Sequence, residues 1–105
     1  MARIGSQGRL LIPKELTDLL KMSGVIGVFW DEEENKIYLN HKEKSKEEFC
    51  IYFRKLDNKN RICLPEHILK MIGADRKSEF VIAVKKQRIY IFKAGKKEDE
   101  ISYGD

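Results

Sequence analysis

Four cations, Arg54, Lys55, Lys59 and Arg61, stand within eight positions of one another in the stretch RKLDNKNRICLP. An arginine forks onto two phosphate oxygens or onto the O6 and N7 edge of guanine, and a lysine acts as a point charge, so this grouping suits an anionic partner. The residues between them decide what shape presents the charge. Asp57, Asn58 and Asn60 are types that accept left-handed backbone or bond to their own main chain, as a tight turn requires. Asn58, Asn60 and Gln7 could also read adenine edges, but flexible tips more often grip phosphates and read DNA shape. Apolar residues flank that tip as strands, and Pro65 presets the backbone for the first turn of a helix. The stretch therefore reads as a β-hairpin with a basic tip, running into a short helix.

The pattern occurs twice. A shift of 52 positions lays Arg9 on Arg61, Pro13 on Pro65 and Leu16 on Ile68, and the same shift lays Lys36-Ile37-Tyr38-Leu39 on Arg88-Ile89-Tyr90-Ile91. Two copies of hairpin, helix and hairpin follow: repeat 1 over 2–40, a linker over 41–48 and repeat 2 over 49–93. A chain of 105 residues with 42% hydrophobic content supplies one modest core, not two. The repeats must share it, which predicts a single pseudo-two-fold domain over 1–95 and a polar, disordered tail over 96–105.

Within repeat 1, Leu16, Leu19 and Leu20 form the apolar stripe of a helix that starts after Pro13 and is broken by Gly24. Strands over 25–30 and 36–40 enclose an acidic turn at Asp31-Glu32-Glu33-Glu34-Asn35. The linker, HKEKSKEE, has no apolar residue and alternates charge, and reads as a solvated linker or a short frayed helix. In repeat 2, Ile68, Leu69, Met71 and Ile72 line a helix closed by Gly73 as its left-handed cap, and the last hairpin turns at the basic Lys85-Lys86-Gln87-Arg88. An acidic and a basic tip at equivalent places could draw neighbouring molecules together head to tail. Two separate solvated turns are the plainer account.

The net charge is +4, but it is uneven: residues 1–48 hold eight Lys and Arg against nine Asp and Glu, and the rest of the chain holds thirteen against eight. The second repeat is the electropositive one. No apolar run is long enough to span a bilayer and the first residues lack a secretory leader, so a cytoplasmic protein with no membrane partner is expected. Cys50 and Cys63 are too few for a disulfide framework; pairing the hairpin about Asn58 and Lys59 sets Cys63 opposite Arg54, and both thiols are expected reduced and in strands. His41, Cys50, Cys63 and His67 lack the close CxxC spacing of a structural zinc site. Phosphate loop, nucleophile motif and triad are all absent, so neither enzyme activity, a cofactor nor a small-molecule substrate is expected.

A polar turn ending in Gly-Arg or Asn-Arg, then apolar residues, Pro, a short helix and a hairpin resembles the AbrB/MazE-type swapped-hairpin DNA-binding domains. Two copies in one chain resemble the MraZ family. The MraZ pattern of Asp, three residues and Arg stands here as Asp57 to Arg61, whereas the first copy has Gly5 at the Asp position. The resemblance implies a mainly β fold with two short helices, its hairpins interleaved into one swapped-hairpin β-barrel. It also implies a transcription regulator that binds double-stranded DNA through the first-hairpin loops, associated with the bacterial nucleoid, and self-associating as a dimer or ring. The residues expected to contact DNA are Arg3, Arg9, Arg54, Lys55, Asn58, Lys59 and Arg61. Three other accounts compete: a solvated basic tip, an arginine that pairs with Asp57 for structural reasons, and a protein-binding or antitoxin-like module or purely structural oligomer of the same fold. Against the antitoxin reading, the tail offers only Ile101 and Tyr103 as apolar anchors.

Overall fold

The computed structural model describes residues 2–5 and 7–95. In chain order the strands are β1 (Ala2–Arg3), β2 (Arg9–Leu11), β3 (Val25–Asp31), β4 (Lys36–His41), β5 (Cys50–Lys55), β6 (Arg61–Cys63), β7 (Glu79–Lys85) and β8 (Arg88–Lys93). Helix α1 spans Lys14–Leu19 and α2 spans Glu66–Met71, with a short 3-10 turn at Lys42–Lys46. The protein is mainly β with two short helices, as the sequence implied.

The repeats exchange strands. One six-stranded sheet runs β1-β7-β8-β4-β3-β5, so the first strand of each repeat pairs with the second hairpin of the other, and β2 and β6 form a separate two-stranded ribbon. In β2 and β6, Leu10 faces its own repeat mate Ile62; in β4 and β8, Tyr38 faces its mate Tyr90. A pseudo-two-fold axis relating the copies therefore passes between these pairs. The hydrogen-bonded sheet is not closed, and β1 and β5 are its edges.

That exchange corrects the expected first hairpins. Each survives at its tip, where Gly5 and Asp57 donate their backbone N–H to the carbonyls of Arg9 and Arg61, and the first keeps one further bridge, Ile4 with Leu10. Beyond the tip the two strands diverge into different sheets, so Arg54 lies opposite Ile26, and Cys63 lies opposite Arg9 rather than Arg54. Both cysteines are free thiols, on β5 and β6.

Leu10, Ile12, Ile37, Leu39, Ile62, Leu64, Ile68, Phe80, Ile89 and Ile91 build one core shared by both repeats. Helix α1 departs from its expected stripe: Leu19 is 67% exposed, and Thr17, at 1%, takes the inward position. Six residues are too short for a full apolar stripe, and Thr17 satisfies its hydroxyl by donating to Lys14 O at 3.1 Å. The helix also stops before Gly24. Lys21 takes the left-handed cap (φ 56), with Met22 N–H bonded to Thr17 O and Lys21 N–H to Asp18 O. Gly73 caps α2 in the same way, as its sequence position foretold. Among the described residues no helix is long and apolar enough to cross a membrane.

Candidate functional site

Alternation along the short ribbon decides what it shows to solvent. Leu10 and Ile62 point inward and are fully buried, which leaves Arg9, Leu11, Arg61 and Cys63 on the other side. Arg9 and Arg61 are related by the pseudo-two-fold, and each begins its strand directly after a tip. The tips share one backbone design, with Gly8 (φ 73) and Asn60 (φ 62) left-handed just before the arginine. Their carbonyls accept from Leu64 N–H and Ile12 N–H respectively, at 2.9 Å each, so each tip is stitched to the strand of the other repeat.

Asp57 joins the two halves. Its Oδ1 accepts the backbone N–H of Lys59 at 2.9 Å and of Arg61 at 2.8 Å, and its Oδ2 accepts Arg61 Nε at 2.8 Å and Arg9 Nη1 at 3.4 Å. Loss of solvent works against the charged carboxylate, but the amides of Arg61 and Lys59 and the Arg61 guanidinium outweigh it, so the pKa of Asp57 lies below its ordinary value. One carboxylate thus orients two arginines without neutralising both. Arg9 also donates to Gln7 Oε1. Arg3, Gln7, Arg9, Leu11 and Arg61 line an open hollow of about 420 Å3, whose charged lining residues are all arginines.

Of the residues singled out in the sequence, Arg3, Arg9 and Arg61 converge on that hollow. Arg3 is largely exposed and braced by Lys77 O at 3.2 Å and Glu79 at 3.5 Å. Lys55 occupies the position equivalent to Arg3, facing Val25 as Arg3 faces Glu79, and is exposed. Arg54 is exposed and turned over the Tyr52 ring, 5.2 Å from its centroid. Asn58 and Lys59 are exposed at the tip itself. Asn60, an apparent candidate for reading bases, is instead a clamp: its amide donates to Ile12 O at 2.8 Å and Thr17 Oγ1 at 3.0 Å.

A second polar centre was not visible in the sequence. On the second hairpins, Glu48 accepts from Tyr38 Oη (2.8 Å), Asn40 Nδ2 (3.3 Å) and Arg88 Nη2 (3.0 Å), while Tyr90 Oη donates to Asp31 Oδ2 at 2.7 Å. The guanidinium of Arg88 also lies over the Tyr38 ring, 4.3 Å from its centroid. Burial raises the Tyr38 and Tyr90 pKa values, and their carboxylate partners raise them further. Every member is matched to a partner here, and no buried polar side-chain atom among the described residues lacks one. The matching explains two departures from expectation. Glu48, read as part of a solvated linker, is a half-buried hub; and the acidic and basic tips meet within one molecule, through Lys85 to Glu34 at 3.4 Å and Arg88 to Asp31 at 4.0 Å. That complementarity is used within the molecule. The signal available in the sequence was the alignment of Tyr38 with Tyr90 under the repeat shift.

Among the described residues no group of three or more His, Cys, Asp and Glu is placed to hold a metal ion, and His41 instead bonds Leu20 O through Nε2 at 2.8 Å. No protein-family model matches the chain, and no curated protein is similar enough to count as a relative.

Proposed function

We propose that this chain is a DNA-binding transcriptional regulator of the AbrB-like swapped-hairpin type, acting in the cytoplasm and gripping double-stranded DNA with the β2–β6 ribbon and its two tips. The observation that carries this reading is the pair Arg9 and Arg61, two-fold related on the outer side of the ribbon and held by Asp57 with Arg3 beside them. A ribbon of two strands fits the major groove, and cations on its rims reach phosphates of both flanking strands. Arg54, Lys55 and Lys59 carry no ion pair among the described residues, which leaves them available for phosphate contact along the strand that feeds the second tip. Asn58, exposed at the same tip, is the residue placed to reach a base edge. The barrel-like closure of the exchanged hairpins belongs to the same reading, and no catalysis is assigned to the chain.

The test is fluorescence anisotropy on random and candidate promoter duplexes across a salt series, comparing wild type with Arg9→Ala/Arg61→Ala. Loss of two phosphate contacts should flatten the slope of log affinity against log salt by about 2. A folded wild-type protein that leaves duplex DNA unbound at low salt refutes the proposal.

A further inference from the structure

The pseudo-two-fold shows an empty place. Strand β3 is flanked by β5 from Val25 to Phe29, whereas on the corresponding side its mate β7 meets, among the described residues, only Ala2 and Arg3, opposite Phe80 and Glu79. Among the described residues nothing pairs with 81–85 on the side away from β8. The consequence appears in burial: Val28 is fully buried under its partner Tyr52, but its mate Ile82 is only half-buried. Beside Ile82 an apolar hollow of about 560 Å3 opens between Leu11, Pro13, Phe80 and Ala2. Mapped through the repeat, that hollow is the slot that Tyr52 fills on the other half, where its hydroxyl donates to Cys63 O at 2.9 Å. The equivalent acceptor here is Leu11 O. An edge reading Val-Ile-Ala-Val with unpaired main-chain groups is otherwise an aggregation hazard.

We propose that this edge receives residues 100–104 of a second copy of the chain, with Tyr103 in the slot that Tyr52 fills in the other half. The segment Glu-Ile-Ser-Tyr-Gly places Ile101 and Tyr103 on one face of an extended strand, and these are the only large apolar residues after Ala94. Placing Tyr103 opposite Ile82 as Tyr52 lies opposite Val28, and continuing in regular antiparallel register without the bulge that follows Val28 on the other half, sets Ile101 opposite Val84 and Glu100 opposite Lys85, a favourable cross-strand charge pair. Reach decides whose segment it is. Ala94 N–H is bonded to Glu79 O, at the end of β7 remote from Lys85. From there to the place of residue 100 is about 20 Å along the strand and about 10 Å across two strand spacings. The six residues from Gly95 to Glu100 extend at most about 22 Å, which only equals that straight-line distance. The new strand would also run parallel to β8 with β7 between them, and such a crossover takes about a dozen residues, so a chain cannot fill its own slot in this register. Reciprocal exchange of the two segments gives a closed two-fold dimer.

Sedimentation velocity over a concentration series, with wild type and Tyr103→Ala, tests this. Wild type should dimerise, Tyr103→Ala should weaken the dimer about tenfold or more, and excess synthetic peptide covering residues 98–105 should dissociate the wild-type dimer. A wild-type chain that is monomeric at every concentration overturns the proposal. So does a dimer indifferent to both Tyr103→Ala and the peptide.

Discussion

Asn60 sits at the proposed DNA-binding tip but its side chain serves the fold, so replacing it separates the two roles. Its amide makes two cross-repeat hydrogen bonds, to Ile12 O and Thr17 Oγ1, and its backbone is left-handed at φ 62. Each partly buried hydrogen bond contributes about 1 kcal/mol, and a left-handed alanine costs about 1 kcal/mol more than asparagine or glycine. Asn60→Ala should therefore lose about 3 kcal/mol and Asn60→Gly about 2 kcal/mol. For a domain of this size those losses lower the melting temperature by roughly 12–24 °C and 8–16 °C. Thermal unfolding followed by circular dichroism reads both, and the order, alanine below glycine, reports the backbone strain directly. At a temperature where Asn60→Gly is folded it should bind DNA within a few-fold of wild type, because the side chain points into the repeat interface. An alanine variant as stable as wild type would refute the clamp, and a folded glycine variant with its sequence discrimination gone would show Asn60 to be a reader of bases.

Stability should also depend on acid in a defined direction. Burial opposes the charged forms of Glu48 and Asp31, but hydrogen bonds from Tyr38 and Arg88 to Glu48, and from Tyr90 and the Glu34 amide to Asp31, hold both pKa values below their ordinary ones, with the Arg88 charge helping. A carboxylate depressed in the folded state stabilises fully above its unfolded pKa and ceases to as pH falls through the folded one. Denaturant midpoints should hold down to about pH 5 and fall below pH 4.5, the ordinary Glu value, and Glu48→Gln should flatten that fall. A separate packing test lies at Gly27, where an added Cβ would meet Phe29 Cε1 at 2.5 Å and Cζ at 2.8 Å. Phe29 is fully buried and stacked on Tyr38 with centroids 5.2 Å apart, so Gly27→Ala should cost about 1–3 kcal/mol in a denaturant titration, while Gly95→Ala, whose Cβ meets nothing within 4 Å, should be neutral.

The duplication, the strand and helix order, the Gly73 cap and the cationic residues of the tips were legible because each is a local signal: a repeat shift, a turn residue, a proline. Interleaving of the two copies was expected from the swapped-hairpin resemblance, but the point at which each first hairpin opens was not, since a hairpin tip looks the same whether its strands stay paired or part into different sheets. Arg54 is an instance: local pairing set it opposite Cys63, and the fold set it opposite Ile26. Nor does any spacing reveal that Glu48, forty residues before Arg88, completes its hydrogen bonding, or that Glu34 meets Lys85. Charge alternation around Glu48 resembled a solvated linker, and only the approach of β4 to β8 turns it into a hub. Asn60 was legible as a left-handed turn residue but ambiguous in its side chain for a related reason. Asparagine suits both a left-handed turn and an adenine edge, and the choice rests on Thr17, which local patterning had not marked as an inward residue.

The most direct test of the proposed DNA surface is to follow backbone amide chemical shifts of the labelled protein during titration with a short duplex. The account predicts perturbations concentrated on the ribbon and its tips, residues 5–11 and 54–63, with the Asp31, Glu48 and Arg88 centre little changed. Saturable binding with shifts centred on the second-hairpin turns, and none at Arg9 or Arg61, would contradict it.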